Sequence, residues 1–164
     1  MGDLIKFKRV VGYLAEQLKL GNLEPDEEGA CYLAFDDDLI MKCAAIEDSN
    51  QVEMVSYVGV LQRDSVDALR EILKYNHFWS DTAGANLGLS DEDSTVMLSQ
   101  YIDMDFIDEI TFYKSVENFV NAMDHWKTKF PELAKFAEDG APQQAVDQGV
   151  PVSGDYNPGF MMGV

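Results

Sequence analysis

Residues 52–62 (VEMVSYVGVLQ) predict a strand that is apolar on both of its faces. Successive side chains of a strand point to opposite faces, so the residues divide into two alternating sets. One set is Val52, Met54, Ser56, Val58 and Val60, and the other is Val55, Tyr57, Gly59 and Leu61. An antiparallel sheet in a small protein needs only one buried face. The second apolar face therefore predicts a surface that binds another chain.

Two shorter apolar runs precede this strand. Residues 31–35 and 39–46 flank the turn Asp36-Asp37-Asp38, and residues 47–50 form the next polar turn. Three strands joined by tight polar turns predict an antiparallel meander. Residues 85–89 and 95–102 predict two more strands around a second acidic turn.

Helical spacing appears in three other stretches. The first stripe is Leu4, Phe7, Val11, Leu14 and Leu18. A second helix is predicted up to about His77, and a third begins at a cap formed by Asp103 or Asp105 and ends near Phe130-Pro131. The predicted fold class is α+β, in the order helix, three-stranded antiparallel meander, helix, two strands, helix.

Composition changes after Ala137. Residues 1–137 are predicted to form one domain, and residues 138–164 a Gly/Pro-rich flexible C-terminal tail. The tail ends in an apolar trio, Phe160-Met161-Met162. Either the tail is inert, or the trio docks on an apolar surface of its own protein or of a neighbour.

Charge and cysteine content restrict the partners and the compartment. Thirty acidic and 12 basic residues give a formal net charge of -18, which opposes binding to nucleic acid and to anionic membranes. Cys31 and Cys43 lie in apolar runs, as buried free thiols do in a reducing compartment. Residues 1–20 lack a signal peptide, and no apolar run approaches the ~20 residues that cross a bilayer. A cytoplasmic protein is predicted.

Catalytic motifs are missing from the sequence. The acidic clusters at 36–38, 91–93 and 103–108 do not follow the ligand spacing of a calcium loop, and there is no phosphate-binding loop or nucleophile elbow. We therefore predict a binding protein that is not an enzyme and that uses no metal and no cofactor. The alternative, a small enzyme, requires His77 or His125 in a cleft with a carboxylate.

From Leu4 to about Phe130 the chain resembles the class I type III secretion chaperones, small acidic homodimeric chaperones of bacterial effector proteins. The resemblance rests on the order of elements and on three local patterns. These are Val58-Gly59-Val60-Leu61 at the end of the third strand, a leucine-containing helix over residues 69–76 that ends in Asn76, and residues 84–89 followed by Asp91, Asp93 and the strand 95–101.

The resemblance implies a homodimer that holds the N-terminal segment of a secreted effector in an extended, secretion-competent state, without ATP. The implied dimer interface contains Leu69, Ile72, Leu73, Phe78, Trp79, Leu87 and Leu89. The implied effector-binding surface comes from the first helix and the first three strands, with Leu33, Phe35, Ile40, Met41, Met54, Ser56 and Val58 as candidates. Because strand residues alternate between faces, about half of these candidates are expected to face the core. The alternative function is a regulatory protein of the same fold that sequesters a transcription regulator or another chaperone.

Overall fold

The computed structural model describes residues 2–35, 39–46, 49–61, 66–77, 82–90 and 93–138. Helix α1 (Gly2–Leu18) is followed by strands β1 (Ala30–Phe35), β2 (Leu39–Ile46) and β3 (Gln51–Val60). Helix α2 (Val66–His77), β4 (Asn86–Leu89) and β5 (Thr95–Asp103) come next, and a short 3-10 helix (Met104–Phe106) leads into α3 (Glu109–Glu138). This order confirms the predicted α+β fold.

The five strands form one antiparallel sheet in the order β1-β2-β3-β5-β4. Helix α2 lies between β3 and β4 in sequence, and it connects the central strand β3 to the edge strand β4. The chain then returns along β5, which pairs with both β3 and β4. As a result β1 and β4 are the two edge strands.

Helices α1 and α3 pack side by side against one face of the sheet, and this layer holds the core. Arg9 of α1 and Glu109 of α3 form an ion pair, Nε to Oε1 2.6 Å, but both side chains are partly exposed and such pairs contribute little to stability. The largest fully buried side chains are apolar: Trp126, Phe7, Phe112, Phe119, Leu14 and Met41 are among them. Helix α2 joins the core through Tyr75, whose ring meets the edge of Trp126 with centroids 4.8 Å apart.

A β-bulge at Val58 changes which residues of β3 face the core. Tyr57 pairs with Met97 and Gly59 pairs with Val96, so Val58 is the extra residue. Beyond the bulge the alternation is shifted by one residue. Val60 is exposed and Leu61 is buried, the reverse of the sets predicted from strict alternation.

Both ends of α3 differ from the sequence prediction. Asp103 caps only the 3-10 helix, by accepting a hydrogen bond from the N–H of Asp105. Asp108 precedes α3 and accepts from the N–H of Thr111 at 2.7 Å, as an N-cap does. At the other end the helix continues through Pro131 to Glu138. The buried side chain of Leu133 anchors these last turns to the protein, which offsets the hydrogen bond that proline removes.

Several of the sequence predictions lie outside the described residues. They include the turn at 36–38, the role of Phe78 and Trp79 in a dimer interface, and the tail beyond Glu138. The division of the chain at residue 137 stays a prediction.

Candidate protein-binding surface

The two faces of the sheet have different surroundings. Inner side chains face α1 and α3, and outer side chains are open on the opposite side. Five of the seven predicted effector-binding residues are buried on the inner face: Leu33, Met41, Met54, Ser56 and Val58. They belong to the core, where a partner has no access to them in this conformation. Ser56 is also satisfied internally, since its hydroxyl donates to the carbonyl of Ile40 at 2.8 Å.

The other two predicted residues are accessible to different degrees. Phe35 is half-buried at the end of β1, where it packs against the core. Ile40 lies on the outer face and is 55% exposed. Of the seven residues, Ile40 is therefore the one that the structure places clearly on an open surface.

The strand register reveals a continuous apolar row across the outer face. Ala34 pairs with Ile40, Tyr57 pairs with Met97, and Met97 pairs with Gly88. The register of β2 with β3, carried one residue beyond Met41 and Ser56, places Ile40 opposite Tyr57. We call these five residues, Ala34, Ile40, Tyr57, Met97 and Gly88, the apolar row. It crosses all five strands without a charged residue.

The neighbouring outer residues are mixed in character. Tyr32, 60% exposed, pairs with Lys42, which pairs in turn with Val55. In the next row of outer positions Glu53 pairs with Tyr101, and its carboxylate accepts a hydrogen bond from the Tyr101 hydroxyl at 2.7 Å. The sequence analysis placed Tyr57 on one apolar face of its strand, but it nominated none of Tyr32, Tyr57 and Met97 for the binding surface. Lys42 and Glu53 mark the outer set of positions in their strands.

The edge of β1 is open next to this face. Gly29 accepts a hydrogen bond from Ala45, so alternate residues from Cys31 onward hydrogen-bond to β2, and the main-chain N–H and C=O groups of the residues between them point away from β2. At Ala30 the outward groups are bonded to Asp26. In the described part of the chain, no hydrogen bond is recorded for the outward N–H and C=O groups of Tyr32 and Ala34. These groups are available to an added strand.

The opposite edge, formed by β4, is closed at its centre. The main chain of Leu87 points away from β5 and bonds to the side chain of Asn76. The two edges therefore differ: β1 offers free main-chain groups beside an apolar face, while α2 covers part of β4.

The residues predicted for a dimer interface fall into two groups. Ile72 and Leu87 are buried within the protomer, where they help to fix α2 and β4 to the core. Leu69 and Leu89 are half-buried, and Leu73 is 68% exposed. Val66, Leu69 and Leu73 recur at three- and four-residue steps and form a second apolar stripe on α2, beside the buried Ala68 and Ile72. The structure contains one chain, so the interface itself stays a prediction.

A groove lies between α1 and α3. Its volume is about 200 Å³, and its lining is mainly apolar: Leu14, Leu18, Phe35, Tyr113, Val116 and Val120, with Glu117 and Asn121. The half-buried ring of Phe35 connects this groove to the end of β1.

The titratable groups do not converge on a catalytic arrangement in the described parts of the chain. No three His, Cys, Asp or Glu side chains there are placed to hold a metal ion, and the acidic cluster at 36–38 lies outside those parts. His77 and His125 are both exposed at the surface, and His125 packs edge-on against Trp126.

Cys31 and Cys43 are buried free thiols, and the hydrogen bond to Cys31 together with burial raises the pKa of Cys43. Nor does any helix in the described ranges have the length and apolarity to cross a bilayer.

Solved structures with this fold include several complexes of secretion chaperones. The chain is similar to the ExsC–ExsE complex, with a TM-score of 0.66 at 18% identity over 76% of this chain and 92% of the other. It is similar to the HopA1–SchA chaperone–effector complex, with a TM-score of 0.66 at 14% identity over 78% and 98%. It is also similar to the Yersinia pestis type III secretion chaperone SycH in complex with a fragment of YscM2, with a TM-score of 0.57 at 18% identity over 72% and 97%. The fold is thus one that type III secretion chaperones adopt.

Residues 10–127 match the Tir chaperone protein (CesT) family, and the chain belongs to this family. The resemblance to class I type III secretion chaperones seen in the sequence is confirmed. The family is one of chaperones rather than enzymes. A comparison with curated proteins found no match.

Proposed function

We propose that this protein is a bacterial cytoplasmic chaperone that binds the N-terminal segment of a type III secreted effector and keeps it soluble, non-globular and ready for secretion. The observation that carries the proposal is the exposed apolar row beside the open edge of β1. Membership of the chaperone family supports it, as does the likeness to a chaperone–effector complex.

An extended client fits both features of this surface. A client strand laid along β1 forms main-chain hydrogen bonds with the free groups of Tyr32 and Ala34. Its alternate side chains then extend the outer face, next to Tyr32 and Ala34, with Ile40 one strand further in. A segment that has not folded has its backbone groups unpaired, so it can pair with β1 along the length of that strand.

A homodimer completes the proposal. The stripe formed by Val66, Leu69 and Leu73 is apolar and lies away from the core-facing side of α2. Two copies of this stripe, packed around a twofold axis, would bury side chains that are exposed in a single protomer. Such a dimer places two client-binding faces on one particle.

The first test is to capture partners on the tagged full-length protein expressed in its native bacterium, and to identify them by mass spectrometry. We expect a single secreted protein, captured through its N-terminal region. Capture of a transcription regulator or of a second small acidic chaperone would instead support the regulatory alternative.

Variants of the proposed surface then test where the client binds. Replacing Ile40 or Tyr32 by Asp introduces a charge into the outer face, where burial of one apolar side chain contributes about 1.5–3 kcal/mol. Because about 1.4 kcal/mol is a tenfold change in affinity, each variant should bind the client segment at least tenfold more weakly. Phe106→Asp is the matched control, since Phe106 is 83% exposed but lies in the 3-10 helix rather than on the sheet. Equal binding by Ile40→Asp and Phe106→Asp would place the client elsewhere.

A further inference from the structure

The C-terminal tail ends in a trio whose chemistry matches the outer face of the sheet. We propose that Phe160, Met161 and Met162 dock on the apolar row of their own chain. The tail lies beyond residues 10–127, which match the family. The docking does not depend on the proposed function, because it needs no client.

Helix α3 packs on the inner face of the sheet, and its Lys127 side chain reaches the Tyr57 position of the apolar row. The Lys127 ammonium lies 4.9 Å from the centre of the Tyr57 ring, so the last third of α3 passes beside the apolar row. A methyl group added at Gly59 would lie 2.3 Å from the ring of Phe130, which shows that the same part of the helix contacts the end of β3. The chain therefore leaves α3 eleven residues after the contact with Tyr57.

The length of the tail allows the contact. From Lys127 to the end of α3 at Glu138 the helix advances about 16 Å, at ~1.5 Å per residue. The 22 residues that follow, 139–160, span up to about 75 Å when fully extended. Phe160 can therefore return to the apolar row with a wide margin.

Side-chain chemistry on both sides is complementary. Methionine adapts to irregular apolar surfaces, and its sulfur packs favourably against aromatic rings such as Tyr57. Residues 139–164 carry three carboxylates, at Asp139, Asp147 and Asp155, and no Lys or Arg. Cations flank the apolar row, since Lys127 lies against Tyr57 and Lys42 occupies the neighbouring row.

Docking of the trio has a consequence for the surface that it covers. The apolar row would be shielded from water and from other copies of the protein while no client is present. A client segment that uses the same outer face would have to displace the trio, so the tail would raise the selectivity of the surface for clients.

Methionine methyl groups report on both partners of the contact without added probes. Met97 belongs to the apolar row, and Met161 and Met162 belong to the trio. In full-length protein labelled with 13C at the methionine methyl groups, we expect nuclear Overhauser contacts between a tail methionine and the Tyr57 ring. Replacing all three residues of the trio by Ser should shift the Met97 methyl signal. Val146→Ser with Val150→Ser is the control, because it alters two other apolar residues of the same tail, and it should leave Met97 unchanged.

The reciprocal variant approaches the contact from the sheet. Ile40→Asp should move the signals of Met161 and Met162 to the positions of solvent-exposed methionine. Ile5→Asp, at a residue that is 71% exposed on α1, should leave them where they are. A shift of the tail signals in Ile40→Asp, together with no shift in Ile5→Asp, supports docking on the apolar row. Tail signals at exposed positions in the unaltered protein would overturn the proposal.

A mixing experiment distinguishes the chain's own tail from that of a second copy. Labelled protein that carries the Ser-substituted trio is mixed and re-equilibrated with unlabelled, unaltered protein. If the Met97 signal stays at the position of the variant, the occupant is the tail of the same chain. If unaltered protein restores the Met97 signal, the occupant is a second copy, and the proposal is wrong.

Discussion

The side chain of Asn76, near the end of α2, forms two hydrogen bonds with the main chain of Leu87 in β4. Its Nδ2 donates to the carbonyl oxygen of Leu87 at 2.9 Å, and the N–H of Leu87 donates to its Oδ1 at 2.8 Å. An amide side chain supplies one donor and one acceptor side by side, as a neighbouring strand would. Asn76 thus fixes α2 against the sheet and covers the middle of an exposed edge.

Removal of this amide should destabilise the protein. In Asn76→Ala the partly buried N–H and C=O of Leu87 lose their partner, and an unsatisfied group of this kind costs about 1–3 kcal/mol. We expect a decrease in the free energy of unfolding within that range, measured by urea denaturation. Asn118→Ala is the matched control, since Asn118 is exposed on α3. Equal stability of the two variants would show that the Asn76 contacts contribute nothing.

A methyl group at Gly59 should disturb the packing of α3. The added carbon of Gly59→Ala would lie 2.3 Å from the Phe130 ring, so the ring has to move. Overpacking of this kind costs about 1–3 kcal/mol in the free energy of unfolding. Gly88→Ala is the control on β4, where nothing lies within 4 Å of the added carbon.

The source of that cost can be isolated with Phe130→Ala. Once the ring is removed, Gly59→Ala should have little further effect, so the two substitutions should be strongly non-additive. Additive changes in unfolding free energy would mean that the clash with Phe130 is not the cause.

Exposure of Leu73 leads to a prediction about assembly. Leu73→Asp places a charge in the apolar stripe of α2 without altering a core side chain, since Leu73 is 68% exposed. Light scattering should give the mass of a dimer for the unaltered protein and that of a monomer for the variant. Ile5→Asp, on α1, should remain dimeric. A dimeric Leu73→Asp variant would exclude this stripe as the interface.

The cap of α3 should make part of the stability depend on pH. Hydrogen bonds from Thr111 lower the pKa of Asp108 below the usual value of an aspartate. A lowered pKa in the folded state means that the charged form contributes stability above the unfolded pKa, and that this contribution is lost as the pH falls through the folded pKa. The difference in unfolding free energy between the unaltered protein and Asp108→Asn should therefore be largest near neutral pH and should shrink in acid. Asp124→Asn controls for the loss of one carboxylate, and a difference that does not change with pH would contradict the assignment.

The sequence by itself determined the elements and their order. Helical spacing over Leu4 to Leu18 and alternating apolar runs in the strands are local signals, because each depends on the geometry of a single element. The resemblance to the chaperone family rested on the order of these elements and on three local residue patterns, and the family match confirmed it. The N-cap of α3 was predicted wrongly as Asp103 or Asp105, whereas it is Asp108. Several aspartates in the segment 103–108 can cap a helix, and packing selects among them.

Only the tertiary structure decided which face of the sheet is open. Alternation divides β3 into two sets but does not say which set meets the helices, and both sets of this strand are apolar. The packing of α1 and α3 buried Leu33, Met41 and Met54 and left Ile40 and Tyr57 at the surface. The bulge at Val58 then exchanged the positions of Val60 and Leu61. Strand pairing alone assembled the apolar row, because its five residues come from five different strands and become neighbours only through the register of the sheet.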